Sequence, residues 1–412
     1  MNRENLSRAW MIVAMLWLVA LLNYFDRLML TTMRLSIKEA IPMTDAEFGL
    51  LTSVFLWVYA GLSPFGGYLA DRFNRSRVII GSLLFWSLVT FLTGQARTFH
   101  QLLAARALMG VSEAAYIPAA LALIADYHRG STRSLATGIH ETGIFIGSAI
   151  GGLGGWLAMR CGWSFSFTVF GVVGIVYSVL LAFTLTDAPA GDRRLTEKSE
   201  AVARPKLWEA MVSLCSERDF FCLAGYWGLL GIAGWAIVGW LPSYLNERFQ
   251  LDQGTAGLSA TGYLFVAAFF GVLFGGWWAD RWSRTNERGR VLVTLIGLCI
   301  AAPAVLVAAQ TDVLVVAIVG MTIYGFTRVF GDANMMPMLC LVSDPRYRAT
   351  GYGVINMVSC GLGGVAIYAG GKLMDHGMSL SVLFLFSAGI MVVCALLLVP
   401  VRPRRLPDQC GI

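Results

Sequence analysis

Charge is what this sequence has least of. Only 14% of its 412 residues are Asp, Glu, Lys or Arg, against about 25% in soluble domains. Hydrophobic residues make up 57%, where soluble domains carry about 45–50%. A soluble core of this size has no use for so much apolar mass, which argues against a soluble enzyme. Histidine is scarce, with 4 in the chain, and none of the 8 cysteines forms a C-x-x-C pair. Most cysteines lie in apolar runs and read as small packing residues, so neither a disulfide framework nor a metal site is expected. No nucleophile–base pair or metal-ligand cluster appears, which disfavours a membrane-embedded enzyme. The net charge of +6 raises the question of nucleic acid. The basic residues, however, sit in short separate clusters between apolar runs, the topology signal of a membrane protein. The first apolar run is too long for a signal peptide and lacks a small-residue cleavage site, so it reads as a first spanning helix.

What is present is apolar sequence in span-sized pieces, at 9–31, 47–70, 78–96, 100–125, 135–158, 164–186, 220–245, 256–280, 291–309, 313–341, 350–373 and 379–401. A spanning helix needs about 20 residues, so the chain predicts twelve transmembrane helices. Residues 187–219 are rich in charge and divide the chain into an N-terminal bundle (1–186), a linker (187–219) and a C-terminal bundle with a short tail (220–412). The linker is too short for a receptor's extra domain. With the N-terminus inside, 22 of the 31 Lys and Arg fall on the inner side and 6 on the outer. The positive-inside rule then puts both termini in the cytoplasm. Short loops without outer-loop N-x-[ST] sites fit a bacterial inner membrane.

The two bundles repeat one another. Gly67-Tyr68-Leu69-Ala70-Asp71-Arg72-Phe73-Asn74-Arg75 recurs as Gly276-Trp277-Trp278-Ala279-Asp280-Arg281-Trp282-Ser283-Arg284, offset by 209 residues. Arg133…Ala136-Thr137-Gly138 recurs as Arg348-Ala349-Thr350-Gly351. In these loops Gly67 permits close helix approach. The charged residues Asp71, Arg72, Arg75, Asp280, Arg281 and Arg284 suit a gate whose bonds form in one state and break in the other. The first copy resembles the major facilitator signature G-x-L-A-D-R-x-G-R, with Asn74 for the second Gly. The resemblance implies an all-α membrane protein, twelve helices in two pseudo-symmetric six-helix bundles, and a transporter rather than an enzyme.

Ionisable residues inside spans are expensive and read as functional by default. Helix 1 carries Asn23-Tyr24-Phe25-Asp26-Arg27, and helix 4 carries Arg106 and Glu113. Arg106 and Glu113 are about two turns apart on one face. By depth an Asp26–Arg106 pair is feasible, with Glu113 deeper in the cavity. Protonation of Asp26 or Glu113 would free a guanidinium to take a substrate carboxylate. The pattern resembles the anion:cation symporter branch, which takes up galactonate, hexuronates and related organic anions with protons. That resemblance implies proton coupling at Asp26 and Glu113, a substrate carboxylate on Arg27, and Arg106 partnering a carboxylate, with Tyr24 beside them. Asn356 matches a substrate-facing Asn of that branch. Cys360 stands where a second Asn is common, and Ile144 where galactonate carriers have Gln, so galactonate itself is not implied. Spinster-type lysolipid carriers share Asn-Tyr-x-Asp-Arg and Arg-x6-Glu.

The C-terminal half tips the reading toward sugar acids. Arg328 and Asp332 lie four apart on one face, and Asn334, Tyr324, Trp235, Trp240 and Tyr244 offer polar or stacking groups. His140 and Glu141 could line the inner vestibule or relay a proton. Gly143…Gly152 resembles a drug-antiporter motif, but Ser148 replaces its Pro, and the glycines alone suit close helix packing. The expected protein is a monomeric proton-coupled importer of a small organic anion, an aldonate or hexuronate. It is expected to hold no cofactor other than the coupling proton, no metal and no nucleic acid, and to have the lipid bilayer as its surroundings. The alternatives are a lysolipid or amphiphile carrier and an exporter or exchanger of another small solute.

Overall fold

The computed structural model of the protein describes residues 3–128, 132–188, 209, 214, 216, 218–342 and 348–401. Most of the charged linker therefore lies outside the described residues. The N-terminal half contains α1 (Arg3–Thr32), α2 (Arg34–Ala40), α3 (Asp45–Arg72), α4 (Arg75–Thr93), α5 (Phe99–Glu113), α6 (Tyr116–Tyr127), α7 (Arg133–Ile150), α8 (Leu153–Cys161) and α9 (Trp163–Thr184). The C-terminal half contains α10 (Arg218–Phe249), α11 (Gln253–Ser283), α12 (Gly289–Gln310), α13 (Leu314–Arg328), α14 (Phe330–Val342), α15 (Arg348–Asp375) and α16 (Leu380–Leu398). Among the described residues 11 helical segments are long and apolar enough to cross a membrane, and the pair α7–α8, bent by 41°, brings the number to 12.

Spans 4 and 10 depart from the continuous helices expected at 100–125 and 313–341. Span 4 breaks at Ala114–Ala115 and span 10 at Val329. Pro118, in the first turn of α6, has no N–H to give the Ala114 carbonyl, which removes one rung of the helical ladder. The residue before the break is Glu113 in one half and Arg328 in the other, 215 positions apart, the same offset that relates Arg133 to Arg348. Pseudo-symmetric breaks thus hold opposite charges.

Each half packs internally, α1 on α7 and α4 on α9 in one, α10 on α15 and α16 in the other. Between halves, α3 meets α15, and α7–α8 meet α11. These seams are zipped at the end away from the chain termini. The Asp375 carboxylate, ending α15, accepts from the backbone N–H groups of Asp45 (2.7 Å) and Ala46 (2.9 Å), which open α3. An anion at a helix N-terminus satisfies otherwise orphaned donors. Arg34 joins Asp45 to Glu247 of α10. The Gln253 amide bonds Ser36, and the Thr261 hydroxyl donates to the Ala149 carbonyl at 2.8 Å. Glycine is required here: a Cβ on Gly371 would lie 2.2 Å from the Asp45 carbonyl oxygen, and one on Gly152 2.6 Å from that of Gly257. The α3–α15 zipper includes Ser53 donating to the Gly364 carbonyl (2.6 Å) and Trp57 donating to that of Gly361 (3.0 Å). Further toward the termini, α6 and α14, the terminal-side pieces of spans 4 and 10, pack chiefly on elements of their own half. The seam is closed on the far side and parted on the terminal side.

Asp252 caps α11 on the far side by accepting from the Thr255 N–H at 2.9 Å. The Thr255 hydroxyl and backbone hold its carboxyl below the usual carboxylate range.

Candidate functional site

The ionisable residues of the N-terminal half meet where α1 passes the break in span 4. Arg27 Nε donates to Glu113 Oε2 at 2.6 Å, with side chains 5% and 0% exposed. The Asp26–Arg106 pair that depth made feasible is not formed. Consecutive residues point about 100° apart on a helix, so Arg27 faces Glu113 while Asp26 turns to α4, where the Thr90 hydroxyl donates to it. Arg106 Nε donates to the Leu51 carbonyl at 3.3 Å, and its guanidinium lies 4.8 Å over the Phe55 ring. Asp26 still feels the charges of Glu113, Arg106 and Arg27, so the four form one electrostatic cluster with a single direct bridge.

Arg27 is held in an aromatic cage. Its guanidinium carbon lies 4.6 Å from the Tyr24 ring, 4.6 Å from Tyr59 and 5.0 Å from Phe55. Cation–π contacts of this kind contribute about 0.5–2 kcal/mol each, more when desolvated. Tyr59, Phe55 and Thr90 were not singled out from sequence. An aromatic or hydroxyl in an apolar helix carries no signal until its neighbours are known. Arg27 Nη2, Arg106 Nη2, Asp26 Oδ1, Glu113 Oε1 and both amide atoms of Asn23 have no hydrogen-bond partner among the described residues.

The C-terminal half presents a second pair. Arg328 Nη1 donates to Asp332 Oδ2 at 2.9 Å, but here the side chains are 26% and 28% exposed. Gly234 of α10 leaves room for the guanidinium, 3.4 Å from where a Cβ would stand. The hydroxyls of Tyr226 and Tyr324 nearby have no partner among the described residues. Glu141, exposed on α7, lies within electrostatic reach of Asp332 in the other half, and Tyr352 on α15 lies within electrostatic reach of Tyr24, Tyr59, Glu141 and Asp332. Asn356 shares this wall, receiving the Cys360 thiol at 3.9 Å.

Several expected positions fall elsewhere. His140 is fully buried, its Nε2 2.9 Å from the Tyr116 hydroxyl. It sits inside the packing of the N-terminal half and not on the vestibule wall that Glu141 lines. Trp240 and Tyr244 are spent on the backbone carbonyls of Ile367 and Ala308, and the Asn334 amide donates to its own helix at Phe330. In and beside the loop signatures, two described ion pairs lie within their own half: Arg75 with Asp126, and Arg290 with Asp280 at 2.9 Å. Arg72, Arg281 and Arg284 are exposed. The surroundings of Gly67 and the side chain of Asp71 lie outside the described residues.

Two spans broken beside charged residues, two opposed polar walls and one zipped end mark a two-bundle carrier fold. Residues 16–368 match the Major Facilitator Superfamily. The chain belongs to that family, which makes it an integral, multi-pass membrane protein and places it among transporters rather than enzymes. It is 26% identical over 427 residues to "Probable sulfoacetate transporter SauU" of Cupriavidus necator, spanning 99% of this chain and 97% of that one. It is 29% identical to Protein spinster homolog 1 of Xenopus tropicalis over 71% of this chain, and spans 58% of that relative's length. Among solved structures, a bacterial homologue of the human lysosomal transporter Spinster, inward-facing and unoccupied, superposes with a TM-score of 0.76 at 21% identity, covering 95% of both chains. A point mutant of the nucleoside transporter NupG gives 0.76 at 14% identity, covering 95% of this chain and 99% of that one. These two likenesses concern the fold alone.

Proposed function

We propose that the protein is a secondary active transporter that takes up a small organic anion together with protons. The observation that carries this reading is Arg27, caged by Tyr24, Phe55 and Tyr59 and neutralised by Glu113 at 2.6 Å. A substrate carboxylate or sulfonate competes with Glu113 for the guanidinium. Protonating Glu113 removes the competitor, and Asp26, bonded to Thr90 in the same cluster, shares that coupling role. Arg106 supplies positive potential behind it. Arg328, Asp332 and Asn356 form the opposite wall, with donors and acceptors for the hydroxyls of an aldonate or hexuronate. Full-length similarity to a protein named for sulfoacetate transport supports a small acidic solute. The terminal side is the cytoplasmic face and the membrane is a bacterial inner membrane. The protein acts as a monomer. Similarity to Spinster proteins favours a second reading, an amphiphile with an anionic headgroup seated on the same arginine.

The test uses proteoliposomes holding a pH-sensitive dye. Sugar acids and sulfoacetate are added outside, with neutral sugars and lysolipids as controls. Lumen acidification by an acid, lost in Glu113→Gln while substrate exchange persists, is expected. Acidification that survives Glu113→Gln removes Glu113 from coupling. Uptake of lysolipid without acidification by any small acid overturns the proposal in favour of the second reading. Arg27→Ala is expected to lose substrate binding.

A further inference from the structure

Glu113 is sealed: its side chain has 0% exposure in a state parted toward the terminal side. A proton that it releases there needs a route through the protein. On α1, Leu16, Ala20, Asn23 and Arg27 fall on one stripe, at steps of four, three and four residues. Both ends of that stripe meet span 4 at its break. The Arg27 side chain bonds Glu113 above it, and the Leu16 carbonyl accepts from the Tyr116 hydroxyl below it at 2.9 Å. Asn23 lies on that stripe between the two contacts. It is 0% exposed, and neither its amide nitrogen nor its oxygen has a partner among the described residues. The Tyr116 hydroxyl also meets His140 Nε2 at 2.9 Å. His140 Nδ1 is buried without a partner among the described residues, two turns from the terminal-side start of α7.

A buried amide left unpaired costs about 1–3 kcal/mol, and polar and ionisable groups inside membrane domains line proton and ion routes. We propose that Asn23, Tyr116 and His140 form a buried proton relay joining Glu113 to the terminal side. The inference rests on Glu113 being the coupling carboxylate. In the release direction a proton leaves the Glu113 carboxyl and a proton leaves His140 Nδ1. Between them a water molecule, oriented by the Asn23 donor and acceptor, and the Tyr116 hydroxyl each accept one proton and donate one. The Tyr116 O–H, which rests on the Leu16 carbonyl, turns to His140 Nε2 for the transfer, and Nε2 takes that proton as Nδ1 gives its own away, so no group on the line keeps a charge. Asn23 is a positioning residue, while Tyr116 and His140 carry the proton.

The experiment compares Tyr116→Phe, Asn23→Leu and wild type in the dye-loaded proteoliposomes, beside substrate counterflow, which needs no net proton movement. Each variant is expected to slow acidification at least tenfold with counterflow unchanged. The melting temperature of Asn23→Leu is expected to stay level or rise, since an unpaired amide is removed. Unchanged acidification in both variants overturns the relay. So does an equal fall in acidification and counterflow, or a fall in melting temperature for Asn23→Leu, since each marks a packing role. Wild type that moves no protons with any anion fails the proposed function, and the relay with it. Wild-type symport with unaffected variants fails the relay alone.

Discussion

The two arginine–carboxylate pairs look alike in sequence and differ in what surrounds them. Arg27–Glu113 is sealed, with exposures of 5% and 0%, whereas Arg328–Asp332 is open by 26% and 28%. Both sit at the break of a broken span, one on each side of the pseudo-symmetry. The sealed pair spans two helices, α1 and α5; the open pair lies within four residues across one break. A sealed pair between helices cannot lose a partner without stranding a charge in low dielectric. The second pair is about a quarter exposed, so water can reach part of a charge left without its partner. The same chemistry thus serves as a switch in one half and as an accommodating wall in the other.

The largest expected effect breaks the sealed pair. Arg27→Ala or Glu113→Ala should destabilise the protein by about 3–5 kcal/mol, read as a lower melting temperature in detergent. The double variant Arg27→Met/Glu113→Leu should recover most of that loss while remaining unable to transport. Recovery is the informative outcome, because it separates the penalty of an unpaired charge from any packing damage. The matching change at the more exposed pair, Arg328→Ala, should lower stability by less than Arg27→Ala does, since Asp332 keeps partial access to water. A loss as large as that of Arg27→Ala would erase the contrast.

Next in size is the zipped end. Gly371→Leu places side-chain atoms where even a Cβ would stand 2.2 Å from the Asp45 carbonyl oxygen. The far side should then part in most molecules. Spin labels at Glu39 and Gln250 report this as a longer distance in the variant, and an unchanged distance would mean that the zipper tolerates the intrusion. Thr90→Val removes the hydroxyl that donates to Asp26. A bond to a charged acceptor contributes about 1.5–3 kcal/mol, so proton-driven uptake should fall by about tenfold or more with the fold intact.

The smallest effect is at Asp252, far from both pairs. Asp252→Ala should lower stability by about 0.5–1 kcal/mol through loss of the α11 cap. Thr255 holds the carboxyl below its usual range. The cap's contribution is therefore full above the unfolded-state value and fades as pH falls through the lower folded one. The gap in melting temperature between variant and wild type should narrow in acid.

Much of the site was legible because membrane burial makes charge conspicuous. Asp26, Arg27, Arg106, Glu113, Arg328 and Asp332 stand out in apolar runs, and the structure gathers the first four into one cluster. Their pairing was not legible. Depth along the spans favoured Asp26–Arg106, but the rotation of α1 about its axis turned Arg27 to Glu113 and Asp26 to Thr90. His140 and Glu141, adjacent in sequence, part company for the same reason: one step around α7 carries one into the packing of its own half and the other onto the cavity wall. Tyr59, Phe55 and Thr90 gave no sequence signal, since each is an ordinary residue in an apolar helix.

Composition and spacing were enough for a membrane protein of about twelve spans with repeated halves, and the resemblance of the Gly67–Arg75 loop to a family signature supplied its class. Those signals act along the chain and require no knowledge of which helices touch. Helix rotation, the breaks at Ala114–Ala115 and Val329, and the zipped far side emerged only once the helices were packed together. Each depends on contacts between residues as distant as Asp45 and Asp375, and the angle of a side chain around a helix is fixed only by what packs against the other faces.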